Sequence, residues 1–157
     1  MSTNEVLWVR AEKHPVLLYD GVCGLCNRTV QFVLKRDRSD VFRFAALQSA
    51  LGRRILERHS INPADLDTFY VVVEFDASQP EGSDQNAGLL ARSDAVSFVL
   101  RELGGMWGLV GGLFMMLPRS VRDGMYNLVA RSRYRMFGRY EKCPVPSEAD
   151  RKRFLDL

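Results

Sequence analysis

The chain has 157 residues and a mass of 17.9 kDa, with 46% hydrophobic and 26% charged residues. That is the size and composition of one globular domain and excludes a disordered, collagenous or solenoid protein; at this length a core forms without disulfide staples. The net charge of +3 is unevenly placed: residues 1–118 carry 12 Lys/Arg against 14 Asp/Glu, whereas residues 119–157 carry 10 against 5.

No run approaches the roughly 18 apolar residues of a membrane-spanning helix. The opening MSTNEVLWVRAEKHP lacks a basic-then-apolar leader, so a cytoplasmic location is expected. Val16-Leu17-Leu18-Tyr19 reads as a buried strand stopped by Asp20-Gly21. Val30, Val33 and Leu34 then recur at helical spacing, which predicts a helix from Cys23 to Arg36. Val41–Ala45 fits a second strand with Phe42 and Phe44 on one side of the pleat. Ser49–His59 fits a second helix ended by Asn62-Pro63, and Thr68–Val73 is a strand rich in β-branched and aromatic residues. A polar loop over 76–86 leads to Gly88–Ala91 as its hairpin partner. Ser93 suits the N-cap of a helix carrying Ala95, Val96, Phe98, Val99 and Leu103, closed by Gly104-Gly105. The order is β-α-β-α-β-β-α.

Met106–Leu117 is apolar and broken by Gly108, Gly111 and Gly112. It is expected to be a buried helix, with a membrane-surface or partner-docking patch as the alternative. Pro118 can open a last helix running through Val121, Met125, Tyr126, Leu128 and Val129 toward Phe137-Gly138. On it Tyr126, Ala130, Arg133 and Phe137 share an inward face, while Arg131, Arg135 and Arg139 form an exposed stripe. An inward Arg133 needs a carboxylate, for which Asp20 and Asp94 are the candidates. The tail around Pro144-Val145-Pro146 reads as extended, with a final turn within Ser147–Leu157.

Chemistry concentrates in Asp20-Gly21-Val22-Cys23-Gly24-Leu25-Cys26, at a strand end and a helix start. Unpaired amides and the macrodipole of the helix N-terminus stabilise a thiolate there, so the Cys23 pKa should fall below the free value of about 8.5. Cys23 is then the accessible nucleophile and Cys26, one turn on, the resolving thiol. Gly24 keeps side-chain bulk off the attacking sulfur. Asp20 opposes the lowering; it reads either as a turn-forming residue bonded to backbone amides or as a proton acceptor or orienting group for Cys26. A zinc site is set aside because Cys143, His14 and His59 are scattered without paired spacing. Cys143 is read as structural, and His14 as a surface residue at the far end of the sheet.

Asp20-Gly21-x-Cys23-x-x-Cys26, Leu47-Gln48-Ser49, Arg92-Ser93-Asp94-Ala95 and the block from Tyr126 to Gly138 together resemble the DCC family of thiol-disulfide oxidoreductases. The resemblance runs from about Val16 to Leu157. It implies an α/β fold with a thioredoxin-like core over 1–105 and a helical extension over 106–157 packed on it as one compact unit. Cys23 and Cys26 would be the redox pair, with Gly24, Leu25, Ser93, Asp94 and Arg133 as substrate contacts. The chain departs from thioredoxins in having Asp67-Thr68, not a proline, before the third strand. Ser93-Asp94 is similar in position to the glutaredoxin site for a glutathione carboxylate, which makes glutathione a candidate co-substrate; Ser93 as a plain N-cap is the simpler reading.

The expected reaction is dithiol–disulfide exchange with a disulfide-bearing protein or a small thiol, using no cofactor beyond the redox pair and no metal. The alternative is a non-catalytic thioredoxin-like module that docks a protein or RNA through the basic last helix and the 106–117 patch. Nucleic acid is not expected, since no RNP1 motif is present.

Overall fold

The computed structural model describes residues 13–62, 68–76, 88–138 and 147–155. Its sheet has the order β2-β1-β3-β4, with β1 (Lys13–Tyr19), β2 (Arg43–Ala46), β3 (Tyr70–Asp76) and β4 (Leu89–Ala91). β1 runs parallel to β2 and antiparallel to β3, and β3 pairs antiparallel with β4. The parallel step is bridged by α1 (Gly24–Arg36), and α2 (Ala50–Arg58) connects β2 to the loop before β3. Three helices follow β4: α3 (Arg92–Leu103), α4 (Gly105–Met115) and α5 (Arg119–Phe137). The arrangement is a mixed α/β fold, compatible with a thioredoxin-like core and C-terminal helices.

The pleat of β1 sorts the core into two layers, because successive side chains point to opposite faces. Leu17 and Tyr19 join Val30 and Val33 of α1, Phe42, Phe44, Val71, and Ala95 and Val99 of α3. Val16 and Leu18 join Leu47, Tyr70, Val72, Phe75, and Ile55 and Leu56 of α2. Helices thus cover both faces of the sheet, and all four β1 residues from Val16 to Tyr19 are buried. The strand is an interior one, which is why it reads as a continuous apolar run and not as an alternating one.

The C-terminal segment is fastened beside β2. Leu155 donates to Phe44 O at 2.9 Å, and Phe154 stacks on Phe44. Arg153 is buried against Asp37, whose carboxylate also accepts from the amides of Val41 and Phe42 at 3.1 and 2.8 Å. The expected final turn is a 3-10 turn over Arg151–Arg153.

Two expectations change. Ser93 is not an N-cap: the α3 cap position is Ala91, without a side-chain cap, and the buried Ser93 hydroxyl donates to Asp123. α4 is a helix but not a buried one. Only Gly111 is buried, while Met106, Leu109, Leu113 and Met116 stand in solvent. On α5 the fully buried side chains are Arg122 and Arg133, whereas Val121, Met125, Leu128 and Val129 are exposed. The face expected to point inward does so, with Arg133 buried and Tyr126, Ala130 and Phe137 half-buried, while Arg131 and Arg135 are exposed. His14 lies at the N-terminal end of β1, half-buried, with Nδ1 2.9 Å from Val41 O. Pro63, Asp67, Arg139, Lys142, Cys143 and the segment Pro144–Pro146 lie outside the described residues.

Candidate active site

Tyr19 ends β1, Asp20 follows it, and α1 begins at Gly24, so the motif is the short connection from a buried strand to a helix. Cys23 is the N-cap of α1, with an extended backbone at φ −81° and ψ 123°. Its sulfur takes the place of a capping oxygen and accepts from the Cys26 amide at 3.3 Å. Both cysteines are free thiols. The Cys26 thiol donates to the Cys23 sulfur, and this bond, helped by the Cys26 amide and by Arg133, pulls the Cys23 pKa from 9.0 to about 6 against the opposing effects of burial and of Asp20. The same bond, with burial, pushes Cys26 upward. One proton is thus shared unequally: Cys23 ionises and Cys26 retains its hydrogen.

Exposure is the reverse of what the sequence suggests. Cys23 has 0% exposure, while Cys26 is half-buried. Gly24, whose missing side chain was expected to leave the sulfur open, does not face empty space. The space is filled by backbone: a Cβ there would run into Phe137 O, and the Gly24 amide donates to Gly138 O at 3.1 Å. Gly138 ends α5 with φ 77°, a conformation glycine adopts without strain, and this turn delivers its carbonyl to Gly24.

Asp20 is buried at the centre of the site. Oδ1 accepts from the Val22 amide at 3.1 Å and from Gln48 Nε2 at 2.6 Å. Oδ2 accepts from the Tyr134 hydroxyl and faces Arg133 Nη2 at 3.4 Å. The turn-forming role and the contact with charged groups therefore coexist. Gln48 also accepts from the Gly21 amide at 3.1 Å, bracing the turn from the end of β2. Burial disfavours the Arg133 charge, but Tyr134, the two cysteines and Asp20 outweigh it and raise its pKa. Tyr134 is pushed up to about 12 by burial and its bond to Asp20, so it stays a donor at neutral pH.

The other expected contacts divide. Leu25, Cys26, Ser93 and Arg133 line one cavity, and Gly24 sits under the end of α5. Asp94 is elsewhere: it pairs with Arg122 at 3.1 Å and Arg119 at 3.0 Å, so Asp20 alone of the two candidates receives Arg133. Sequence reasoning gave no role to Tyr134, Gln48 or Asp123, and placed Tyr126 on the inward face without naming its partner. Tyr126 accepts the Phe69 amide at 2.8 Å, just before β3. The available signal was the spacing of Arg122, Tyr126 and Arg133, which puts hydrogen-bonding groups on one helix face. Among the described residues no three His, Cys, Asp or Glu side chains gather as a metal site.

A free dithiol at the first turn of a helix, following a buried strand of an α/β sheet, is an arrangement suited to thiol–disulfide exchange. Residues 17–139 match the family model described as DCC1-like thiol-disulfide oxidoreductase, and the chain belongs to that family. It is 36% identical over 140 residues to "Uncharacterized protein YuxK" of Bacillus subtilis (strain 168), covering 89% of this chain and 93% of that one. It is also 36% identical over 134 residues to "DCC family protein At1g52590, chloroplastic" of Arabidopsis thaliana, covering 85% of this chain and 71% of that protein. No solved structure matches the chain. No helix among the described residues is long and apolar enough to cross a membrane.

Proposed function

We propose that the chain catalyses dithiol–disulfide exchange through Cys23 and Cys26. The observation that carries this reading is the unequal pair: a Cys23 sulfur ionised near pH 6, bonded to a Cys26 that keeps its proton. The Cys23 thiolate attacks one sulfur of a substrate disulfide, the second substrate sulfur leaves as a thiol, and Cys26 then attacks Cys23 and releases the first. The balance is one substrate disulfide reduced to two thiols, and one enzyme dithiol oxidised to a disulfide; a cellular thiol returns the pair to the reduced form. The redox equivalents are carried by the two sulfurs themselves, in a reducing compartment such as the cytoplasm. Because the end of α5 lies against Gly24, attack by Cys23 requires Phe137-Gly138 to lift away; Arg133 and Asp20 hold the charge balance meanwhile.

The test is a pair of single substitutions assayed with a model disulfide. Cys23→Ser should abolish reduction, and Cys26→Ser should accumulate a mixed disulfide on Cys23, visible by mass. Turnover retained in Cys23→Ser would end the assignment.

A further inference from the structure

The cavity that reaches Cys26 has a volume of about 340 Å³. Leu25 and Cys26 come from α1, Val96 from α3, Phe114 from α4, and Val129 and Arg133 from α5. The polar groups at its wall are already engaged, Arg133 with Asp20 and Tyr134. The Ser93 hydroxyl donates to Asp123, Tyr126 accepts the Phe69 amide, and Thr29 donates to Leu25 O at 3.0 Å. A ligand entering here therefore meets carbon and has few hydrogen bonds to gain. This volume falls at the lower end of sites that enclose small ligands or single bulky side chains, roughly 300–1,000 Å³.

The place where a glutathione-like carboxylate was expected is not available in the same way. Ser93 and Asp94 are both drawn to α5, through Asp123, Arg122 and Arg119. A ligand with charged ends would have to break those bonds, and one with only polar groups would leave them unpaired in the cavity.

At the mouth of the cavity the apolar character continues outward. Met125 and Val129 of α5 line the cavity and are about half exposed, so an apolar margin opens to solvent beside it. Methionine is flexible and polarisable, and it recurs on surfaces that accept polypeptides of varied shape. A small lipophilic thiol would fill the cavity without using this margin, whereas a chain passing over it would use both.

We propose that this cavity is the substrate subsite for a bulky apolar side chain adjacent to the reacting cysteine of a polypeptide. The inference rests on the exchange chemistry proposed above and adds the substrate class: a cysteine-bearing segment flanked by leucine-like residues, in preference to glutathione disulfide. Val96, Phe114 and Val129 hold the apolar side chain while the substrate sulfur lies toward the Cys23–Cys26 pair.

Reduction is compared for disulfide dimers of acetyl-Leu-Cys-Leu-amide and acetyl-Gly-Cys-Gly-amide, for glutathione disulfide and for dibutyl disulfide. The leucine peptide should exceed the glycine peptide and glutathione disulfide by at least about tenfold in kcat/KM. Val129→Asp, at a half-exposed helix position where folding is not at risk, should remove most of that difference by placing a carboxylate at the cavity mouth. Equal rates for the two peptides would overturn the subsite, and dibutyl disulfide matching the leucine peptide would replace the polypeptide by a small lipophilic substrate and so overturn the occupant. Binding of the S-methylated leucine peptide to the Cys23→Ser/Cys26→Ser chain, followed by amide shifts of Val96 and Val129, separates the two layers. Shifts without turnover of any disulfide by the parent chain keep the subsite and remove the exchange chemistry. Turnover of all disulfides with no shifts does the opposite.

Discussion

Tyr134, on the last turns of α5, donates its hydroxyl hydrogen to the carboxylate of Asp20, the residue that leaves β1 for the dithiol. The bond ties the C-terminal helix to the turn that carries Cys23, and it is one of four partners that this buried carboxylate holds. Tyr134→Phe removes the donor and leaves the Val22, Gln48 and Arg133 contacts in place. A cost of about 1–2 kcal/mol in unfolding free energy is expected, measured by urea titration, with the fold retained.

Arg133 and Asp20 act on the Cys23 thiolate with opposite signs, the first lowering its pKa and the second raising it. Arg133→Gln should therefore move the Cys23 pKa up from about 6 toward 9.0, and Asp20→Asn should move it down. Thiolate absorbance against pH reads both. Losing the arginine also destabilises the reduced pair, so the reduction potential should become more negative. Each variant leaves a buried partner uncompensated, with a stability cost of about 3 kcal/mol. A merely structural role would show that cost without the opposed pKa shifts.

The depressed Cys23 pKa also fixes how stability depends on pH. Between about pH 6 and 9 the folded chain has released the Cys23 proton while the unfolded chain still holds it. The unfolded state binds more protons, so stability rises with pH across this window, at up to about 1.4 kcal/mol per pH unit. The contribution is fully present above pH 9 and is lost as pH falls through about 6. Cys26 works the other way, because its raised pKa keeps it protonated in the folded state and favours unfolding above pH 9. Urea midpoints of the reduced chain should rise from pH 6 to 9, and the rise should vanish in Cys23→Ser.

The element order was legible because β1, α1, β3 and α3 each bury one recognisable pattern: a continuous apolar run for the interior strand, and helical spacing over Val30 and Val33 or Ala95 and Val99. The position of the dithiol, and Arg133 as a partner for Asp20, were legible for the same reason, since a charged residue among inward positions demands a counter-charge. What stayed hidden depends on tertiary contact. Periodicity finds the inward face of α5 but not its chemistry: Arg122, buried against Asp94, carried no mark in the helical pattern. The contact at Gly24 was hidden likewise, because Phe137-Gly138 arrives from more than 100 residues downstream. Ser93 looked like a cap until Asp123 was brought beside it.

The outward position of Leu128 and the inward position of Arg122 on α5 can be checked directly. Leu128 is 71% exposed, so Leu128→Lys should change stability by less than about 0.5 kcal/mol. Arg122, by contrast, is buried, pairs with Asp94 and donates to Leu117 O at 3.2 Å. Arg122→Ala should cost about 3 kcal/mol by leaving a hole and unpaired acceptors between α3 and α5. An order of costs opposite to this, read from urea midpoints, would mean that Leu128 and not Arg122 faces the core.

Gly24 is where packing and chemistry meet. Any side chain at this position collides with Phe137 O, a backbone atom that cannot swing aside as a side-chain tip can. The Gly24 amide bond to Gly138 O at 3.1 Å must lengthen or break to make room. Gly24→Ala should therefore cost about 1–3 kcal/mol of stability, as overpacking does, even though alanine is the better helix former. If the end of α5 is what keeps Cys23 from solvent, the same substitution should speed alkylation of Cys23 by iodoacetamide at pH 7.5, where its ionisation is already nearly complete. The rate difference then reports access alone and not acidity. A destabilised variant whose Cys23 reacts no faster than in the parent would show that the sulfur is shielded from another side.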